Sequence, residues 1–153
     1  MATSFHEHVR SLALLHDLIE SDQEVGERGA VEKLVKDIAE AAERIAADAE
    51  RAVAQVNAEA DAAAEGLKAE ARSAVSSIRK GAAQTAADLM QDVKQGADEK
   101  TAVLAADQIL KQAERTAIEL TMQAQQSLRA LAKQAAEATE IIQKEVDSAF
   151  EEL

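Results

Sequence analysis

The chain has 153 residues, no proline and no cysteine, two aromatic side chains (Phe5 and Phe150), and a formal net charge of −12. The missing proline leaves helices free to run on, and the missing cysteine excludes a disulfide framework and thiolate metal sites. The acidic balance argues against nucleic acid, whose phosphates need a basic surface to release counterions. About a quarter of the residues are alanine, the best helix former, and most others are Glu, Lys, Gln, Arg, Leu or Asp. The expected fold class is therefore all-α. At about 25 cal/mol per Å² an alanine methyl contributes little on burial, so stability must come from helix propensity and many thin contacts.

The first element opens at Ser4, three residues before Glu7, the spacing of a capping box. Phe5, Val9, Leu12, Leu15 and Ile19 follow at helical intervals, and Leu14 and Leu18 widen the stripe. Residues 1–25 are read as a short amphipathic helix and bend. It is the greasiest part of the chain and the candidate partner-binding element, through Phe5, Val9, Leu12, Leu15 and Ile19. Ser21 and Glu24 repeat the capping-box spacing, and Gly26 and Gly29 place a bend over 21–29.

The second element, about 30–95, carries a seam from Val31, Leu34, Ile38, Ala41 and Ile45 through Leu67, Ala71 and Ile78 to Leu89 and Val93. The seam repeats about every 3.65 residues, close to an 11-residue repeat and above the heptad value, which predicts a nearly straight helix. Gly66 and Gly81 fall inside it. The seam continues through both, so Gly81 is expected to be a weak spot and not a stop.

The turn is expected at Gly96 and Asp98: Lys94 suits a last helical turn, Gly96 a left-handed cap, and Asp98 with Glu99 the next helix start. The third element, about 98–153, has its seam at Leu110, Ala113, Ala117, Leu120, Ala124, Leu128 and onward to Val146, Ala149 and Leu153. Folding back at Gly96 makes residues 26–153 a long antiparallel hairpin. Positions equidistant from the turn then pair, placing Leu104 opposite Leu89, Ile118 opposite Val75, and Leu128 and Leu131 opposite the run Ala62, Ala63 and Ala64, where large residues meet small. A hairpin with such thin seams excludes water poorly by itself, so assembly into a helical bundle, as a dimer or higher oligomer, is expected.

Motifs that carry chemistry are missing. His6, His8 and His16 crowd the first element, but His6 and His8 point to different helix faces and His16 with Glu20 is only a pair. No histidine follows residue 16, so the Glu-x-x-His motifs of a di-iron bundle are absent, as are a nucleophile elbow, a Walker loop and a dinucleotide fingerprint. No catalytic residue, cofactor or metal is therefore expected, and the chain is read as a non-enzyme. No apolar run approaches the roughly 20 residues of a membrane span, and the start lacks the pattern of a signal peptide, so a cytoplasmic location is expected. Charge is uneven. Residues 1–25 carry about −4, 26–66 about −5, 67–97 about +2 and 98–153 about −5, so the middle is the one basic stretch.

Two functional classes fit. The first is a structural, scaffolding or adaptor coiled coil acting through helix–helix contacts. The run from Glu40 to Ala52, Glu-Ala-Ala-Glu-Arg-Ile-Ala-Ala-Asp-Ala-Glu-Arg-Ala, resembles the alanine-rich stalk helices of rotary ATPases and related secretion stators, and the hairpin is similar to the cytoplasmic rods of chemoreceptors. Both resemblances imply a helical scaffold. The alternative is an amphipathic coat on a lipid or polymer inclusion. Bacterial phasins are similar in being small, alanine- and glutamine-rich helical oligomers, and the stretch Met122-Gln-Ala-Gln-Gln-Ser-Leu fits that style. That resemblance implies peripheral surface association.

Overall fold

The structure, a computed structural model, describes residues 28–153. Among them the chain forms two long α-helices that pack against each other, and no strand. Helix α1 spans Arg28–Lys94 and helix α2 spans Glu99–Glu151. The amino-terminal helix expected over 1–25 lies outside the described residues. Of the bend expected over 21–29, Gly29 is placed within the first turn of α1.

Helix α1 runs unbroken through Gly66 and Gly81. Each glycine costs a helix about 1 kcal/mol relative to alanine, and the strong helix formers on either side absorb that cost. Thr85 Oγ1 donates to the carbonyl of Gly81 at 2.9 Å, so the hydroxyl is satisfied inside the helix.

The turn is built as the sequence indicates. Gly96 has φ of 107°, in the left-handed region that favours glycine. Its N–H donates to the carbonyl of Val93 at 3.1 Å, and the N–H of Ala97 donates to that of Asp92 at 3.0 Å. These two bonds are the Schellman pattern, which satisfies carbonyls that the end of α1 would otherwise orphan. Asp98 then caps α2, its carboxylate accepting from both the N–H and the hydroxyl of Thr101.

The helices pack as two compact units. One joins residues 28–59 to 134–153. Here Ala42, Ala46, Ala49, Val146 and Phe150 form one buried cluster, with Ile45 and Ile142 half-buried against it. Phe150 takes the packing role because a ring needs a recess, and three alanines across the seam leave one. The other unit, 60–133, contains the turn. Its buried residues are all alanine: Ala82, Ala86, Ala102, Ala106 and Ala117. Methyl groups facing methyl groups favour the close end of the roughly 8–10 Å range of helix separations.

The seams have the expected period with local shifts of one residue. Val35 is buried where Leu34 was expected, and Ile109 is half-buried where Leu110 was expected; Leu34 and Leu110 are exposed, as are Val31 and Leu153. The register is also refined. Arg79 and Glu114, equidistant from the turn in the expected pairing, are joined by an ion pair at 2.8 Å. Leu104 and Ile118, however, are 59% and 53% exposed, so neither faces the partner helix as a large-on-small contact. Ala102, Ala106 and Ala117 are the buried residues of α2 at these levels, with Leu89, Ile78 and Leu120 half-buried beside them.

Two outcomes are expected. Gly96→Ala places a Cβ in a left-handed backbone and should cost about 1–2 kcal/mol in chemical denaturation. Phe150→Ala empties the cluster's largest member and should cost about 3 kcal/mol.

Candidate interaction surface

Chemistry-bearing groups do not converge among the described residues. No group of three or more His, Cys, Asp or Glu side chains that could hold a metal exists among the described residues. No polar or charged residue among them is buried, and no helix is long and apolar enough to cross a membrane. What the hairpin presents is surface.

Within the unit 60–133, α1 and α2 together line an open groove of about 250 Å³. Ala71 and Val75 from α1 and Ala124 and Leu128 from α2, all half-buried, make its apolar floor. Lys68 and Arg72 stand on the α1 margin; Thr121 and Gln125 stand on the α2 margin. The spacing explains the arrangement. On each helix the floor residues are four apart and the margin residues four apart, so each pair stacks on one side. One margin thus carries two cations beside Glu65, and the other is neutral.

The Arg79–Glu114 pair bridges the helices in the same unit. Arg79 Nη2 donates at 2.8 Å and Nε at 3.2 Å to the two carboxylate oxygens of Glu114, a forked geometry that only arginine offers. The hydrogen bonds from Arg79, and then its charge, hold the Glu114 carboxyl below its ordinary value of 4.5 and raise the Arg79 guanidinium. At the groove margin, the bond from Lys68 at 2.9 Å, followed by its charge, lowers Glu65 in the same direction. The bonds from Thr101 lower the Asp98 carboxyl below 3.8. These groups face water, so each interaction is screened and small.

A second surface is carried by α2 alone. Leu104, Ile118 and Met122 are exposed, and separations of about four and five helical turns put them on one side, away from the seam. Of the residues singled out in the sequence, Gly96 and Asp98 meet at the turn. The candidate binding stripe Phe5, Val9, Leu12, Leu15 and Ile19, and all three histidines, lie outside the described residues. The groove escaped sequence reading because it exists only once both helices and their register are set; the basic stretch 67–97 was the one signal pointing to it. Comparison with protein families, with curated proteins and with solved structures finds no match.

The lowered Glu114 gives a signed pH dependence. A carboxyl whose pKa is lower in the folded chain adds stability above its unfolded value and loses it as pH falls through the folded value. The melting-temperature difference between the wild type and Glu114→Gln should be constant near neutrality and shrink below about pH 4.5. Using the difference removes the opposing effect of acid on a chain of net charge −12.

Proposed function

We propose that this chain is a non-enzymatic structural or scaffolding coiled-coil protein that acts by helix–helix association, with itself and with a protein partner. One observation carries the reading. The buried set among the described residues is alanine, two valines and Phe150, while Val103, Leu104, Leu110, Ile118, Met122 and Ile141 remain exposed. A hairpin that leaves these leucine, isoleucine and methionine side chains exposed has apolar area still to bury, and packing against further helices does so at low cost. The polar, open character of the rest of the surface supports the same reading, since a pocket that shields a reacting group from water is the usual setting of catalysis. The net charge of −12 fits a cytoplasmic protein.

The alternative, a phasin-like coat on a lipid or polymer inclusion, is favoured by the exposed trio Leu104, Ile118 and Met122 on one side of α2. Sedimentation equilibrium of the full chain over a concentration series separates the two when paired with flotation on lipid droplets and polymer granules. The scaffold reading expects a mass of at least two chains and no flotation. A single-chain mass at every concentration rejects it, and flotation that is lost in a Leu104→Asp, Ile118→Asp double variant establishes the coat.

A further inference from the structure

The charges of α2 are sorted by side. At about 100° per residue, Lys100, Lys111, Arg115, Arg129 and Lys133 all fall within about 40° of the line through Leu104 and Met122. These are every lysine and arginine that α2 has within the unit 60–133. None of its carboxylates there shares the stripe. Asp107 and Glu119 stand about 60° round, one on each side, and Glu114 is turned farther, bonded to Arg79. Ile118, Gln108 and Gln126 complete the stripe, and every residue of it is exposed. It lies opposite the buried Ala102, Ala106 and Ala117, so packing of α2 against α1 leaves it uncovered.

Lys111 is held by Asp107 at 2.8 Å, whereas Lys100, Arg115 and Arg129 enter no ion pair among the described residues. Setting Asp107 and Glu119 against the five cations leaves the face with a surplus of three positive charges, in a chain whose net charge is −12. A helix is about 10 Å across, roughly one Debye length at physiological salt, so carboxylates on its far side are screened from whatever touches the stripe.

The apolar side chains narrow the choice of anion. Leu104, Ile118 and Met122 are each more than half exposed and share the line of the cations. The phosphates of nucleic acid match the cations but give these three side chains nothing to enter. A packed helix needs an apolar contact on nearly every turn, and between Leu104 and Ile118 the stripe offers only Gln108, Lys111 and Arg115. A lipid surface imposes no such register. Leucine, isoleucine and methionine enter the boundary between headgroups and acyl chains, while lysine and arginine reach on long stems to headgroup anions. At 1.5 Å per residue the stripe is about 50 Å long, enough to meet several headgroups at once.

We propose that the outer face of α2 from Lys100 to Lys133 docks on the surface of an anionic lipid bilayer, with Leu104, Ile118 and Met122 in the headgroup boundary and the five cations on the headgroup charge. This goes beyond the scaffold reading by giving the scaffold a surface to lie on. It also differs from the coat, which binds a neutral inclusion through apolar contact alone.

Flotation of the full chain with two kinds of vesicle tests it, one of phosphatidylcholine alone and one of equal parts phosphatidylcholine and phosphatidylserine. The chain should float with the mixed vesicles and not with phosphatidylcholine, and added salt should release it. Arg115→Gln with Arg129→Gln removes two exposed cations without touching the seam, and circular dichroism checks that helicity is kept. At about fivefold per cation, this variant should bind at least about tenfold more weakly. Lys33→Gln with Lys36→Gln makes the same change of net charge at exposed positions of α1 and should bind as the wild type does. The proposal is overturned by equal flotation with both kinds of vesicle, by none with the mixed vesicles, or by equal losses in the two double variants. A short DNA duplex, followed by fluorescence anisotropy, covers the rival anion. Duplex binding that the Arg115, Arg129 variant loses, without vesicle binding, assigns the face to nucleic acid and overturns the lipid. Sedimentation without vesicles reads self-association separately, so a single-chain mass rejects the scaffold reading while flotation still decides this one.

Discussion

Everything in the described structure depends on how little space a methyl group takes. The fully buried residues between α1 and α2 are mostly alanine, with larger side chains such as Ile45, Ile78, Leu120 and Ile142 half-buried along the same seams, and the methyl groups admit close approach. The gain per residue is small, because alanine removes little apolar area from water. Two long helices compensate by repeating the contact many times, and by drawing on a composition that favours the helical state before any packing occurs. The same constraint pushes large apolar side chains outward at Leu104, Ile118 and Met122 and leaves the trough over Val75 and Leu128 open. The surface available for association is therefore a by-product of the seam.

Within that frame, the polar interactions serve to place the helices more than to stabilise them. The Schellman bonds around Gly96 and the cap at Asp98 finish one helix and begin the next within a short turn, so the chain reverses with its backbone groups satisfied. The forked Arg79–Glu114 pair joins the two helices at one level of the unit that holds the turn. Exposed ion pairs contribute little free energy, but a forked pair tolerates few geometries, and a one-residue slip would separate its partners. Alanine seams cannot supply that discrimination, because neighbouring registers of methyl groups look nearly alike.

That near-degeneracy also decides what was legible in the sequence. Helix existence, the turn at Gly96, the cap at Asp98 and the seam period were readable because each rests on local chemistry: propensity, a left-handed glycine, a carboxylate before a helix, a spacing of about 3.6. The side of the helix was readable only to within one residue. Leu34 and Leu110 are larger than Val35 and Ile109, or equal to them, and a rule that follows size chooses the former; packing chose the latter because the close seam leaves no room for a side chain aimed off its centre. Leu104, placed opposite Leu89 by its distance from the turn, is exposed. The groove could not be read at all, since it is a property of two helices in register and no single stretch of sequence contains it.

The reversal at Gly96 also orders events in time. Contacts near it join residues close in sequence, the Arg79–Glu114 pair closes a separation of 35 residues, and the cluster of Ala42 with Phe150 closes roughly a hundred. The entropy of closing a loop grows only with the logarithm of its length, about 0.6 kcal/mol per doubling, yet a thin seam offers little at any one step to offset it. Pairing therefore advances from the turn, each layer of alanine shortening the loop that the next must close, as in a zipper. The cluster around Phe150 closes the longest loop on that route.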